Sequence, residues 1–348
     1  MNLSVIAIGD ELLIGQVIDT NSGDIAHRLN PFGWNVNDVQ IVADDADSIK
    51  TAIDRAFQSS DVVITTGDLG PTKDDITKAT LCSYFGGELK EDPDVLDNVK
   101  KVIEQRGLKL NDLTARQALV PTSARIIQNT VGTAPIMWFE RDGKVLIAMP
   151  GVPFETREML DTAIVPQLID RFKSDLSYEH RSVLVIGYSE SLLAMTIADW
   201  ENSLPPYLHL AYLPKPGLVR LRIDGTHNDK TFLITEINRR HMELCRLLGA
   251  NVLCDQDLPV EKILQDELKR HGLTLSTAES CTGGNISHLI TSVPGSSEVF
   301  NGSIVSYSNQ AKMHLLDVAS ETLEKYGAVS TQVVEEMAEG ACMALDTD

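Results

Sequence analysis

The strongest restriction on the fold is an alternation along the first half of the chain. Apolar runs too short for helices are followed by Gly- or acid-rich turns, and then by segments with helical spacing of apolar residues. Residues 3–8 (LSVIAI), 61–66 (DVVITT) and 144–149 (KVLIAM) predict buried strands, and residues 34–42 predict another. Residues 20–30, 48–58, 75–85 and 154–172 carry helical spacing, the first with Thr20 or Asn21 as its N-cap. Strands alternating with helices predict a parallel α/β sheet. Ligands of such sheets bind at the carboxyl ends of the strands, which is where the loops 9–15, 66–75 and 149–155 fall.

The pattern then changes. Strand-like residues 181–187, 207–213 and 218–224, with helical segments 189–203 and 230–248, predict a small α+β unit. Helical patterns over 259–271, 311–316 and 331–345 surround only two strands, at 273–278 and 302–307, with a helix between them ending near residue 291. This predicts a partial second α/β unit. Charge follows the same divisions. Residues 1–170 hold 15 basic and 26 acidic side chains, 178–253 hold 8 of each, and 254–348 hold 5 and 15. We therefore expect units at 1–172, 178–254 and 258–348. The formal net charge of −20 argues against nucleic-acid binding driven by net charge, because phosphate neutralisation needs a basic face. It leaves room for a small phosphate-bearing ligand. The five cysteines include no CxxC, the start has no basic region before its apolar run, and no run of about 18 apolar residues exists. A cytoplasmic protein with reduced thiols and no membrane contact is expected.

Several loops carry residues suited to chemistry. In TTGDLGPTKDDIT, Gly67 and Gly70 permit close backbone approach, and Thr72, Lys73 and Thr77 supply donors for phosphate oxygens. Asp74 and Asp75 at a helix start can hold a divalent cation, or they are simply an acidic N-cap. Asp10 and Glu11 end the first strand, and Gly132, Gly151 and Glu155 belong to turns at the same rim. Downstream, Ser280 sits on a strand-to-helix turn followed by Gly283 and Gly284, which suits a nucleophile with backbone donors nearby. Lys312 with Tyr307 would complete a Ser–Lys arrangement. An N-cap Ser and a surface Lys are the plainer reading, and Cys281 is a weaker rival nucleophile.

GDELLIG with Asn21, TTGDLGPTKDDIT, NTVGTAP at 129–135 and MPGVPFE at 149–155 resemble the molybdopterin-binding-like domain of the competence/damage-inducible CinA family, over residues 1–170. The resemblance implies a mainly parallel three-layer sheet. It also implies an ADP-ribose pyrophosphatase that uses a divalent metal ion, magnesium or cobalt, and releases AMP and ribose 5-phosphate. Asp10, Glu11, Asp74 and Asp75 would be catalytic, with Asp10, Asp74 and Asp75 on the metal. Thr72, Lys73 and Thr77 would meet phosphate, and Asn21, Gly67, Gly70, Gly132, Thr133, Pro150, Gly151 and Glu155 would line the substrate. Asp68 departs from the family's Gly-Gly-Leu-Gly, and a carboxylate there would repel a pyrophosphate or add a metal ligand.

The middle unit resembles the family's KH-like domain. It has no GxxG and is neutral, so a connector that supports a homodimer is expected over an RNA binder. AESCTGG, SYSNQAK and GAVS resemble the family's nicotinamide-nucleotide amidohydrolase domain, which implies deamidation of nicotinamide mononucleotide. Ser280 would be its nucleophile, Tyr307 and Lys312 its partners, and Thr282, Gly283 and Gly284 its substrate loop. Family members continue beyond the point matching Asp348, so this half is expected to be impaired. Two other readings stay open: a molybdopterin-binding or adenylylating protein, and a non-catalytic nucleotide-binding scaffold in competence or DNA damage response.

Overall fold

The computed structural model describes residues 1–72, 75–172 and 176–348. They form two compact units. One is Met1–His180 with Ser203–Leu210 and Ile223–Arg240; the other is Arg181–Asn202 with Ala211–Arg222 and His241–Asp348.

In the first unit the strands are β1 (Asn2–Ile8), β2 (Asn35–Val42), β3 (Val62–Thr66), β4 (Leu89–Glu91), β5 (Leu119–Pro121), β6 (Arg125–Ile127), β7 (Ile136–Arg141) and β8 (Lys144–Met149). The main sheet has the order β2-β1-β3-β8-β7-β6. Its first four strands are parallel neighbours, and β7 and β6 run antiparallel at one side. Both faces are apolar because successive side chains of a buried strand point to opposite faces. Val5, Ile64 and Ile147 pack with Ile25 and Leu29 of the helix Asn21–Leu29 and with Leu160 and Ile164. Ile6, Val63 and Leu146 pack with Ile49 and Ile53 of Ala46–Ser59 and with Leu81 of Thr77–Phe85. The expected mainly parallel three-layer α/β architecture is what the structure contains.

Local differences from the sequence pattern have identifiable causes. Thr20 holds the N-cap position of Asn21–Leu29, but its side chain makes no cap bond; Asp19 accepts from the amide and hydroxyl of Ser22 instead. The expected helix from residue 75 begins at Thr77, because Asp75 turns its carboxylate toward the preceding loop. The helical stretch after residue 153 is Pro153–Met159, a wide turn at Leu160–Ile164, and Val165–Arg171. Pro166 lacks the amide that a regular helix would use there, which accounts for the wide turn. The helix Pro93–Gln105, capped by Asp92, and the β4–β5 pair went unread in the sequence.

The middle segment forms β9 (Ser177–Ile186), β10 (Leu208–Lys215), β11 (Leu218–His227) and the unexpected β12 (Val252–Cys254), in the order β10-β11-β9-β12. Its helices are Glu190–Asn202 and Lys230–Leu248. At the carboxyl end of the chain, β13 (Leu275–Glu279) and β14 (Phe300–Val305) pair in parallel. Helices Asn309–Leu316, Ser320–Tyr326 and Thr331–Leu345 contribute to a core of Leu316, Leu323, Val333 and Met337. Among the described residues no helix is long and apolar enough to cross a membrane.

Strand register decides where the loops lie. Ala7 pairs with Thr66, and Thr66 with Met149, so β1, β3 and β8 end side by side. Gly67 closes this edge by donating its amide to Met149 O at 3.2 Å. Its φ is +107°, and a Cβ on it would stand 2.1 Å from the carbonyl oxygen of Ile8. Gly67→Ala is expected to destabilise the first unit by about 3 kcal/mol through strain and overpacking, measurable by denaturant unfolding. An unchanged midpoint would show that β1 and β3 can separate without cost.

Candidate functional site

Three loops line one cleft of about 90 Å³ at this edge. Ile8 ends β1, Glu11 and Leu12 follow it, and Asn21 begins the next helix; Thr66 and Gly67 come from the end of β3, Gly151 from the loop after β8 and Pro153 from the start of the helix beyond it. Asn21 is 7% exposed, and its Nδ2 donates to Gly151 O at 2.8 Å, tying the first loop to the last. Asp10 is exposed and exchanges amide-to-carboxylate bonds with Asp44: its amide donates to Asp44 Oδ2 at 3.2 Å, and its Oδ1 accepts from the Asp44 amide at 3.4 Å.

The loop after β3 is organised by two carboxylates. Asp75 accepts from the Gly70 amide at 2.6 Å, the Thr72 amide at 2.7 Å and the Thr72 hydroxyl. Asp68 accepts from the Ile76 amide at 3.0 Å, the Thr77 amide at 2.9 Å and the Thr77 hydroxyl at 2.7 Å. Asp68 therefore caps the helix Thr77–Phe85, a role that its sequence position gave no reason to expect. Its backbone is left-handed at φ +52°, a conformation Asp tolerates better than most residues. Burial pushes its carboxyl up to about 6, against the hydrogen bond from Thr77. Gln117 pins the same loop through Leu69 O at 2.9 Å and is itself held by Lys78 at 2.8 Å. Burial lowers the Lys78 ammonium to about 8, opposed by the charge of Asp75. Sequence reasoning missed Lys78 and Gln117, because nothing local marks a side chain that reaches a loop from another element.

Pro150 accepts from Thr156 Oγ1 at 2.8 Å. Glu155 is buried, and its Oε2 accepts from Asn129 Nδ2 at 2.7 Å. Burial raises its carboxyl, and Asn129 and Arg106 oppose the rise. A Cβ on Gly132 would stand 1.9 Å from Glu155 Oε2, so the two residues share one site of close packing. Thr133 lies in the same 129–134 turn, which Asn129 also closes through Ala134 O at 3.0 Å. Asn129 is the missed organiser of this turn. Lys73 and Asp74 lie outside the described residues. Among the described residues no three His, Cys, Asp or Glu side chains come together as metal ligands. Asp75 gives both its oxygens to loop donors in this conformation, so a metal ion held by Asp75 would require that carboxylate to turn away from Gly70 and Thr72.

The second unit builds a different site. Lys312 is 1% exposed, and its Nζ donates to Ser280 Oγ at 3.1 Å, Ser306 O at 2.6 Å and Tyr307 O at 3.4 Å. The plain reading of a surface Lys is wrong: the amine is buried against the hydroxyl. Tyr307 meets Lys312 through its carbonyl, and its own side chain is 78% exposed. Cys281 is exposed. Glu279, unremarked in the sequence, shapes the Ser280 turn. Its Oε2 accepts from the Gly284 amide at 2.9 Å and the Ile286 amide at 3.0 Å, and its Oε1 from the Ser287 amide at 2.9 Å and Ser303 Oγ at 3.1 Å. Burial would raise its carboxyl, but the amides of Ser287 and Ile286 and the hydroxyls of Thr282 and Ser287 outweigh this and hold it at about 2. Gly283 and Gly284 carry the turn at φ +57° and +100°.

Residues 4–170 match the family described as “Probable molybdopterin binding domain”, and residues 257–348 match “CinA C-terminal domain”. A CinA-like protein of Flavobacterium psychrophilum is 42% identical over 340 residues, covering 97% of this chain and 81% of its own length. A CinA-like protein of Cytophaga hutchinsonii is 42% identical over 334 residues, covering 96% and 80%. A crystal structure of CinA from Thermoplasma acidophilum is 37% identical, covers 47% of this chain and 96% of its own, and has a TM-score of 0.44.

The Glu279 carboxyl allows a test with a definite sign. Its folded pKa of about 2 lies below its ordinary 4.5, so its stabilisation is complete above about pH 4.5 and is lost as pH falls toward 2. Glu279→Gln is expected to cost roughly 2 kcal/mol at pH 7, with the gap from the parent closing between about pH 4.5 and 2 in unfolding titrations. A gap that stays constant with pH would mean that the charge contributes nothing.

Proposed function

Since the chain belongs to the CinA-like protein family, we propose that its first unit hydrolyses ADP-ribose to AMP and ribose 5-phosphate with the aid of a divalent metal ion. The observation that carries this reading is the convergence of donors in the loop after β3. Amides of Gly70, Thr72, Ile76 and Thr77 and two Thr hydroxyls point at carboxylates, so the loop is already shaped to hold anionic oxygens. A phosphoryl group would take these donors over as the loop releases a carboxylate, whose repulsion a bound cation would offset. Asp10 and Glu11, at the neighbouring strand end, are the groups we assign to orienting the attacking water. A metal ion, when bound, would offset the diphosphate charge. The proposed setting is a cytoplasmic homodimer that acts on small nucleotides, without nucleic acid or membrane.

For the second unit we propose amidohydrolase chemistry on nicotinamide mononucleotide. The 3.1 Å contact of Ser280 Oγ with Lys312 Nζ supports it. In the proposed reaction Lys312 Nζ takes the Ser280 proton as Oγ attacks the amide carbon and passes it to the departing ammonia; water, losing its proton to Nζ, then cleaves the Ser280 ester, releasing nicotinate mononucleotide and returning that proton to Oγ.

The test is product analysis on the purified chain. AMP formed from ADP-ribose and abolished by EDTA is expected, with Asp10→Asn lowering the rate at least about tenfold. No AMP with magnesium, cobalt or manganese would overturn the reading; molybdopterin co-purifying with such a preparation would favour the cofactor-handling alternative, and nucleotide binding without turnover the scaffold. In parallel, ammonia release from nicotinamide mononucleotide, at whatever rate the chain sustains, should fall to background in Ser280→Ala. Release that survives this change would refute the Ser280 assignment.

A further inference from the structure

We propose that the cleft beside Gly67 is a ribose subsite, in which Asn21 accepts a hydrogen bond from one hydroxyl of a vicinal diol. The inference rests on the ADP-ribose reading above and specifies which part of such a ligand goes where.

Asn21 supplies the first argument. Gly151 O can only accept, so the atom facing it must be the amide nitrogen, and this fixes the orientation of the carboxamide. The remaining atom, Oδ1, is buried and has no hydrogen-bond partner among the described residues. A buried acceptor without a protein donor takes one from water or from a ligand O–H, and the place of Asn21 on the cleft wall makes it available to a ligand.

The cleft narrows what that ligand group can be. A cleft of about 90 Å³ is small, which favours a sugar-sized group over a bicyclic base. Glu11 and Asp19 line it, and among the described residues no Lys, Arg or His lines it. Such a wall takes neutral donors and repels phosphate. Leu12, Val17 and Ile18 offer apolar surface to the C–H faces of a sugar. Gly67 borders this cleft and begins the donor-rich loop, so in this proposal the phosphoryl group of the bound sugar lies on the loop side of Gly67. A hydrated cation is the competing occupant.

The experiment is calorimetric titration of the full chain with ribose 5-phosphate, 2-deoxyribose 5-phosphate and 3-deoxyribose 5-phosphate. ADP-ribose hydrolysis is measured on the same preparation. Ribose 5-phosphate should bind at least about tenfold more tightly than one or both deoxy sugars, and Asn21→Ala should erase that preference while the protein remains folded by circular dichroism. Because the preference is read on the parent protein, the result does not depend on the variant folding. Equal affinity for the three sugars, or hydrolysis without sugar-phosphate binding, would refute the subsite and leave the pyrophosphatase reading standing. Absence of both binding and hydrolysis would overturn both. Manganese alone binding in an Asn21-dependent way would assign the cleft to a cation and overturn the sugar assignment.

Discussion

The parallel register of β1, β3 and β8 is the constraint on which the first unit depends. With Ala7, Thr66 and Met149 level, three connections leave the sheet at one edge. The Gly67 turn can then run against Ile8 O with no room for a side chain. The cleft, the Asn21–Gly151 tie and the donor-rich loop all follow from that alignment. A one-residue slip in any of these strands would turn buried side chains to the other face and separate the loops, which is why a two-faced apolar sheet specifies its site so tightly.

The same local solution appears in each unit: a carboxylate placed against backbone amides. Asp75 and Asp68 gather the loop after β3, and Glu279 gathers the turn after β13. A carboxylate can accept several N–H bonds at once, and a charged acceptor makes them stronger than neutral ones. Sharp turns that leave many amides without partners therefore hold one shape. In the first unit the gathered donors are of the kind that phosphate oxygens use. In the second they hold the backbone on either side of Ser280, while Lys312 meets its hydroxyl. The difference in chemistry comes from what stands beside the turn, not from the turn itself.

Much of the fold was legible because periodicity and burial are local properties. Apolar runs over residues 3–8, 61–66 and 144–149 read as buried strands, and in a parallel sheet the loops after them share an edge. Boundaries were less legible. Helical spacing ran back to residue 75, but the turn drew Asp75 out of the helix. Of the candidate site residues, Ser280 and Lys312 were named from a motif, although the burial of Lys312 was not visible until its neighbours were in place. Asp68 looked like an intruding charge and proved to be a helix cap nine residues before its partner Thr77.

The chain's own pattern thus determined the layers, the mainly parallel sheet and the edge where the loops gather, because alternation and helical spacing act over a few residues. Only the tertiary structure decided the partners of the polar groups. Asn129 meets Glu155, Gln117 meets Leu69 O, and Asn21 meets Gly151 across gaps of 26, 48 and 130 residues. Hydrogen bonds at such separations leave no periodic trace in the sequence. They depend on which strands lie side by side, and that is known only when the sheet has formed.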